Sequence, residues 1–143
     1  MKNEHALNAH LAKLMNRKAP GFKYVKLADK YTIGLSDFLM WYGGDSTAME
    51  VKFVKFFPKR DDTILLAHPF KGTQLSFLRE IEMTHHKAWG LIGVDDEREM
   101  HLIPNYEIPS SGNWTSSMFR QADFPCYDFS DIDGLLKGMF GDP

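Results

Sequence analysis

The sequence has little cysteine, little net charge and no long apolar run, and each shortage excludes a class of protein. Its single cysteine, Cys126, cannot form an internal disulfide, and such cysteine usage is typical of proteins from a reducing compartment. No apolar run approaches the length needed to span a membrane, and the opening "MKNEHALNAH" lacks the apolar core of a signal peptide. We therefore predict a cytoplasmic protein with no membrane partner.

The formal net charge of −2 argues against a protein that is held to nucleic acid by bulk charge alone. A local basic surface is still compatible with this balance. Neither a zinc-ligand spacing nor a glycine-rich phosphate loop is present. With 143 residues, 43% of them apolar, the chain can build one domain with a substantial core, and we predict a single domain over residues 1–143.

Hydrophobic periodicity predicts helices and strands in the order α-β-β-β-α-β-β-α, which indicates an α/β fold with helices packed on a mixed sheet. Thr73 is the predicted N-cap of the second helix, and residues 109–117 are predicted to be a loop. Helices are predicted over 4–17, 74–86 and 130–140, and strands within 22–34 and over 36–42, 47–57, 88–94 and 98–104.

The stretch "AMEVKF", residues 48–53, places Glu50 and Lys52 in an otherwise apolar strand. If "GGDS" closes a regular hairpin, Tyr42 pairs with Thr47, and Asp37 then faces Lys52. Directly opposed residues lie on the same face of a sheet, so Asp37, Glu50 and Lys52 point the same way. The alternate residues of both strands, Met49, Val51, Phe53, Phe38, Met40 and Tyr42, are left to supply the core.

Two carboxylates and an ammonium on one face of a sheet suit metal-assisted chemistry on a phosphate. A hard cation such as Mg²⁺ takes oxygen ligands, and we predict that Asp37, Glu50 and the Val51 carbonyl supply them. Such a metal polarises a phosphate and activates water, and Lys52 can orient that water or balance the developing charge. A cross-strand salt bridge on a solvated sheet face is an alternative that geometry alone leaves open.

These residues resemble the signature of the PD-(D/E)xK nuclease superfamily. The family's acidic residue in an N-terminal helix matches Glu4, its strand Asp matches Asp37 in "GLSDF", and its Glu/Asp-x-Lys matches Glu50-Val51-Lys52. Ser36 replaces the proline that precedes the Asp in the family pattern. A Gln at the start of the following helix matches Gln74. The resemblance covers roughly residues 4–104 and implies a restriction-endonuclease-like mixed central sheet flanked by helices.

Within this superfamily the chain looks most like the Holliday-junction resolvases of archaea, bacteria and their viruses. That resemblance implies a DNA endonuclease that acts as a homodimer on four-way junctions, depends on Mg²⁺ or Mn²⁺ and leaves 5′-phosphate ends. It implies catalytic roles for Glu4, Asp37, Glu50, Lys52 and Gln74. The alternatives are a nuclease for DNA ends, flaps or nicks of the virus-type replication-repair kind, and a non-catalytic DNA-binding module with the same fold.

A basic stretch lies close to these residues in sequence and is the candidate DNA-binding surface. Lys55, Lys59, Arg60 and Lys71 are predicted to contact DNA phosphates, which position a duplex without reading its sequence. The alternative for these side chains is an ordinary solvated loop. His68 precedes the Gln74 helix, which is compatible with a position near the site, and a structural role is favoured for it.

Overall fold

The described residues form a six-stranded mixed sheet with helices on both of its faces. The computed structural model describes residues 1–18, 21–27, 37–84 and 87–141. Among these residues the helices are α1 (Glu4–Met15), α2 (Gly72–Met83), α3 (Ser116–Ala122) and α4 (Ile132–Phe140), with a 3₁₀ turn at Asn105–Glu107. The strands are β1 (Phe22–Lys26), β2 (Phe38–Tyr42), β3 (Asp45–Val54), β4 (Lys87–Val94), β5 (Glu99–Pro104) and β6 (Cys126–Asp128).

The strands lie in the order β1-β2-β3-β4-β5-β6. The β3–β4 pair is parallel, and every other neighbouring pair is antiparallel. A parallel pair needs a crossover connection, and α2 lies in that connection between β3 and β4. The apolar run of β4 is buried on both faces, as its sequence predicts. The predicted mixed sheet with flanking helices is therefore confirmed. No helix among the described residues is both long and apolar enough to cross a membrane.

Two cores lie on opposite faces of the sheet. On one face, α1 and α4 bury their apolar sides, including Leu7 and Leu135, against β2, β3, β4 and β5. On the other face, α2, α3 and the connecting segments cover the sheet with residues such as Phe70 and Phe119. Gly93 lets α1 approach β4 closely, because a Cβ added there would lie 2.4 Å from Leu7 Cδ2. This close approach brings the first turn of α1 to the sheet.

The β2–β3 hairpin has the predicted side-chain faces but not the predicted register. Tyr42 pairs with Asp45 rather than with Thr47. The loop is two residues long, because Gly43 and Gly44 both have positive φ (58° and 86°), as a tight type I′ turn requires. A shift of two residues preserves the faces of the strands. The predicted core residues of both strands accordingly pack in or against the α1–α4 core.

Other local predictions need correction. Helix α2 begins at Gly72, and its N-cap is Lys71 rather than the predicted Thr73. The Lys71 backbone N–H donates to Gln74 Oε1. Strand β3 ends at Val54 and does not continue to residue 57. The predicted loop 109–117 runs into helix α3 at Ser116, capped by Thr115, and a sixth strand follows. The C-terminal helix over 130–140 is confirmed as α4.

Candidate active site

Three carboxylates converge from three different elements. Glu4 comes from the first turn of α1, Asp37 from the residue before β2, and Glu50 from the middle of β3. One carboxylate oxygen from each lies within 4.8 Å of the other two. We call this group the Asp37–Glu50 cluster. The structure thus brings together Asp37 and Glu50, which the strand pattern selected, and Glu4, which the family resemblance implied.

Asp37 is held by hydrogen bonds to both of its oxygens. Its Oδ2 accepts the Val51 backbone N–H at 2.7 Å, and its Oδ1 accepts Asn8 Nδ2 at 3.4 Å. The first bond ties the residue to the centre of β3, so the carboxylate lies beside Glu50. Ser36, which stands at the position of the family's proline, is outside the described residues.

Glu50 is almost completely buried, at 2% exposure. Its Oε1 accepts Gln74 Nε2 at 2.6 Å, while Gln74 Oε1 accepts the Lys71 backbone N–H at the start of α2. Gln74 therefore links the helix terminus to the acidic cluster. Gly90 is the β4 partner of Glu50, and its lack of a side chain leaves room for the Phe70 ring, whose Cζ would lie 2.8 Å from a Cβ at that position.

Lys52 supplies a buried positive charge beside the carboxylates. It is 4% exposed, and its Nζ lies 3.8 Å from Glu50 Oε1 and 5.5 Å from the centroid of the Phe70 ring. The nearby carboxyl groups and the face of the Phe70 ring favour an ammonium at this buried position. This side chain is therefore oriented towards the cluster and is not part of a solvated sheet face, which excludes the solvated salt-bridge alternative.

The electrostatics of the cluster oppose the simultaneous ionisation of its carboxyls. Burial raises the pKa of Glu50 to about 9, and the neighbouring Asp37 charge adds to the effect while Lys52 counteracts it. Burial also raises the pKa of Asp37, against the Val51 N–H bond, which lowers it. The pKa of Glu4 is raised by its own burial, opposed by the charge of Lys52. One ammonium does not offset three clustered carboxylates, of which Glu50 is buried and Glu4 and Asp37 are half-buried.

The donor set fits a hard divalent cation. Glu50 Oε2 is buried and has no hydrogen-bond partner among the described residues, and the same holds for Asn8 Oδ1. Buried polar atoms without partners are costly. Carboxylate oxygens are the ligands that Mg²⁺ or Mn²⁺ takes, usually together with several waters. A bound cation would also offset the excess negative charge of the cluster. Asp37, Glu50 and Glu4 are the residues able to hold such an ion.

The predicted DNA-binding residues differ in whether they form ion pairs with other residues of the chain. Lys55 Nζ lies 3.0 Å from Asp95 Oδ2 and also donates to the Met1 carbonyl. Arg60 has an exposed ion pair with Asp62 at 3.4 Å. Lys59 and Lys71 are exposed, and neither forms an ion pair with a described residue. The positive charge of Lys71 is one of those that oppose the raised pKa of Glu4.

Two neighbours of the cluster, Asn8 and Phe70, did not emerge from sequence reasoning, and a third, His68, was expected near the site in a structural role. Asn8 holds Asp37, Phe70 packs under Lys52, and His68 is one of the groups whose charge lowers the pKa of Glu4. For Asn8 a signal exists: it follows Glu4 by four residues, so the two share one face of α1. No comparable periodic signal points to Phe70. Residues 85 and 86, the last two of the predicted second helix, are outside the described residues.

Comparison with known proteins identifies the fold. No family model and no curated protein matches the sequence. Among solved structures, the chain is similar to Hjc, a Holliday junction resolvase from the archaeal hyperthermophile Archaeoglobus fulgidus. The similarity covers 92% of this chain and 96% of that chain, with a TM-score of 0.54 and 14% sequence identity. The predicted α/β nuclease-like fold is therefore confirmed. At this low sequence identity, the structural similarity shows the fold alone.

Proposed function

We propose that this protein is a divalent-metal-dependent endonuclease that hydrolyses phosphodiester bonds in branched DNA, with the four-way junction as its substrate. The observation that carries the proposal is the convergence of Glu4, Asp37 and Glu50 within 4.8 Å, beside the buried Lys52. The similarity in fold to an archaeal Holliday junction resolvase supports the choice of substrate.

In this proposal Asp37 and Glu50, together with Glu4, hold Mg²⁺ or Mn²⁺, with the Val51 carbonyl as a further ligand. A bound cation of this kind polarises the scissile phosphate and lowers the pKa of a coordinated water. Asn8 and the Val51 N–H fix Asp37, and Gln74 fixes Glu50, so the ligand oxygens are oriented before the cation arrives. Such preorganisation is what metal sites require of their surroundings.

Lys52 acts directly on the reacting groups. Its Nζ is held 3.8 Å from Glu50 Oε1, so its ammonium lies next to the place where a metal-bound phosphate and the attacking water would meet. It orients that water by hydrogen bonding and stabilises the extra negative charge on the phosphate in the transition state. Because this charge develops only during the reaction, the benefit falls on the rate rather than on binding.

DNA contacts outside the cluster come from the segment between β3 and α2. We assign phosphate contacts to Lys59, Arg60 and Lys71, which are exposed, and to Lys55, which follows β3 directly. A junction has two symmetry-related strands to nick, so the active form is a C2 homodimer with one site per subunit. Sedimentation velocity should give a dimer, free or on the junction, and a strict monomer in both states would contradict paired nicking.

The experiment that tests the function compares four substrates of matched sequence. A synthetic four-way junction, a flap, a linear duplex and a single strand are incubated with the protein and Mg²⁺, and in parallel with EDTA. We expect symmetric nicks in the junction, with 5′-phosphate ends, only when Mg²⁺ is present. Preferential cutting of the flap or the duplex end would move the activity to end or flap processing. Junction binding with no cleavage of any substrate would identify a non-catalytic DNA-binding module.

A further inference from the structure

A second group of metal-ligating side chains lies elsewhere on the sheet. Glu97 is in the turn that joins β4 to β5, and Glu99 and His101 follow it in β5. Residues two apart on a strand point to the same side, so Glu99 and His101 project together. One ligand atom from each of the three lies within 4.8 Å of the others. We call this group the β5 cluster.

The β5 cluster contains a buried imidazole nitrogen with no partner. The His101 side chain is 8% exposed, and its Nε2 has no hydrogen-bond partner among the described residues. Glu99 Oε2 is 3.7 Å away, too far for a hydrogen bond. Burial lowers the pKa of His101, and the nearby Glu99 carboxylate opposes this shift. Glu97 Oε1 is also buried and unpartnered in the described part of the chain.

The surroundings hold these ligands in place. The Arg120 guanidinium from α3 contacts the other oxygen of Glu97 and lies over the Phe57 ring, 3.7 Å from its centroid. The Phe119 ring packs edge-on against His101 at a centroid distance of 5.1 Å. Glu99 is 41% exposed, so the site has an open side through which a cation can enter. Supporting contacts of this kind orient metal ligands.

We propose that Glu97, Glu99 and His101 form a second metal site, which takes a borderline divalent cation such as Zn²⁺. Imidazole nitrogen and carboxylate oxygen are both ligand types that Zn²⁺ takes in proteins, and water can fill a fourth position. Cys126 pairs with His101 across β5 and β6, but it does not belong to the group whose ligand atoms lie within 4.8 Å of one another. The bound ion satisfies both unpartnered atoms and links the β4–β5 turn to β5.

The β5 cluster lies apart from the Asp37–Glu50 cluster on the same face of the sheet. Lys52, Ile92 and His101 are successive partners across β3, β4 and β5. Two strand spacings separate Lys52 from His101, or about 10 Å between backbones. A cation in the β5 cluster is therefore not the one proposed for catalysis, and its role is to stabilise the fold at the turn.

The test uses the full chain with Asp37→Asn and Glu50→Gln, which removes the ligands of the first site while conserving side-chain size. Calorimetric titration with Zn²⁺ should give one ion per chain, and Zn²⁺ should raise the thermal unfolding midpoint. Adding Glu99→Gln, at a partly exposed position that tolerates an isosteric change, should weaken Zn²⁺ binding at least tenfold and abolish the midpoint shift. His101→Phe should do the same.

Two controls separate this site from adventitious binding. Glu80→Gln, at an exposed position on α2, and Cys126→Ser should both leave Zn²⁺ affinity unchanged. Failure of the chain with Asp37→Asn and Glu50→Gln to bind Zn²⁺ would overturn the proposal. So would an unchanged affinity after Glu99→Gln, or loss of binding with Cys126→Ser, since the thiol is outside the ligand set.

Discussion

The Asp37–Glu50 cluster and the β5 cluster differ in how the chain assembles them. The first draws its carboxylates from a helix, a loop end and a strand, whereas the second comes from five consecutive residues of one turn and strand. The first has only oxygen ligands and a buried ammonium beside them, and the second has an imidazole nitrogen and no lysine among its ligand groups. Assembly from distant elements makes the first cluster depend on the whole fold.

This difference in ligands implies a difference in chemistry. Oxygen ligands favour a hard cation that keeps its waters and can meet a phosphate, and Lys52 adds a group able to act on the reaction. Mixed nitrogen and oxygen ligands favour a borderline cation, and the basic side chain at the β5 cluster, Arg120, is paired with Glu97. We therefore expect changes in the first cluster to abolish activity and changes in the second to affect stability.

The largest expected effect separates the clusters by activity. Asp37→Asn or Glu50→Gln should reduce single-turnover cleavage of a four-way junction by about a thousandfold or more, because a metal supplies several kcal/mol of transition-state stabilisation. Circular dichroism and junction binding should stay close to wild type. The matched change Glu99→Gln in the β5 cluster should leave the cleavage rate within about twofold at saturating Mg²⁺. Near-normal cutting by Asp37→Asn or Glu50→Gln would remove the cluster from catalysis.

The next effect tests the lysine that only the first cluster possesses. Lys52→Ala should lower the single-turnover cleavage rate at saturating enzyme by about a hundredfold, with little change in junction affinity. Lys59→Ala serves as the comparison, because a phosphate contact should change affinity and leave the saturated rate intact. If Lys52→Ala weakens binding and cuts at the normal rate when saturated, the ammonium is only a phosphate contact.

The metal-free protein should reveal the electrostatic cost of the first cluster. The pKa of Glu50 is raised to about 9, so between pH 4.5 and 9 the folded chain keeps a proton that the unfolded chain has lost. The free energy of unfolding then falls with rising pH, by up to about 1.4 kcal/mol per pH unit from this group. Denaturation in EDTA at pH 6 and pH 8 should show this loss in wild type and a smaller loss in Glu50→Gln.

Glu80→Gln is the control for that measurement, since it removes an exposed carboxylate on α2 and should follow wild type at both pH values. Equal pH dependence of wild type and Glu50→Gln would mean that Glu50 carries no shifted titration in the folded state.

The smallest effect concerns DNA affinity rather than either cluster. Lys59→Ala with Arg60→Ala should weaken binding to all junction sequences about equally and reduce the salt slope by about 2, because each phosphate contact releases counterions. A charge-matched control is Arg79→Ala with Lys87→Ala, at exposed positions outside the basic stretch. An identical reduction in both double variants would reassign the effect to net charge.

The sequence predicted the first cluster correctly because a register error of two residues does not change the face of the sheet on which a side chain lies. The predicted Tyr42–Thr47 pairing was wrong by two residues, yet a shift of two leaves Glu50 and Lys52 on their predicted face. The error arose because Gly43-Gly44 forms a tighter turn than "GGDS" suggests. Glu4 was found only through the family resemblance, since its contact with Asp37 depends on how α1 docks against β4.

The parts that sequence reasoning missed depend on tertiary packing or on a pattern hidden in a strand. Helix α3 has seven residues, and Phe119 stabilises it by packing against Trp114 and Phe124, a contact that no local periodicity predicts. The β5 cluster did leave a signal, Glu-x-Glu-x-His over residues 97–101. Its period of two marks one face of a strand, but burial of His101 is visible only in the fold.

The most direct test of the central claim is a Mn²⁺ titration of the Glu99→Gln protein, in which the β5 cluster is disabled. Calorimetry should detect one Mn²⁺ per chain in this background, since Mn²⁺ prefers oxygen ligands. Adding Glu50→Gln should weaken that binding at least tenfold, with the fold unchanged by circular dichroism. Equal Mn²⁺ affinity with and without Glu50→Gln would show that the Asp37–Glu50 cluster does not hold the metal, and would contradict the account.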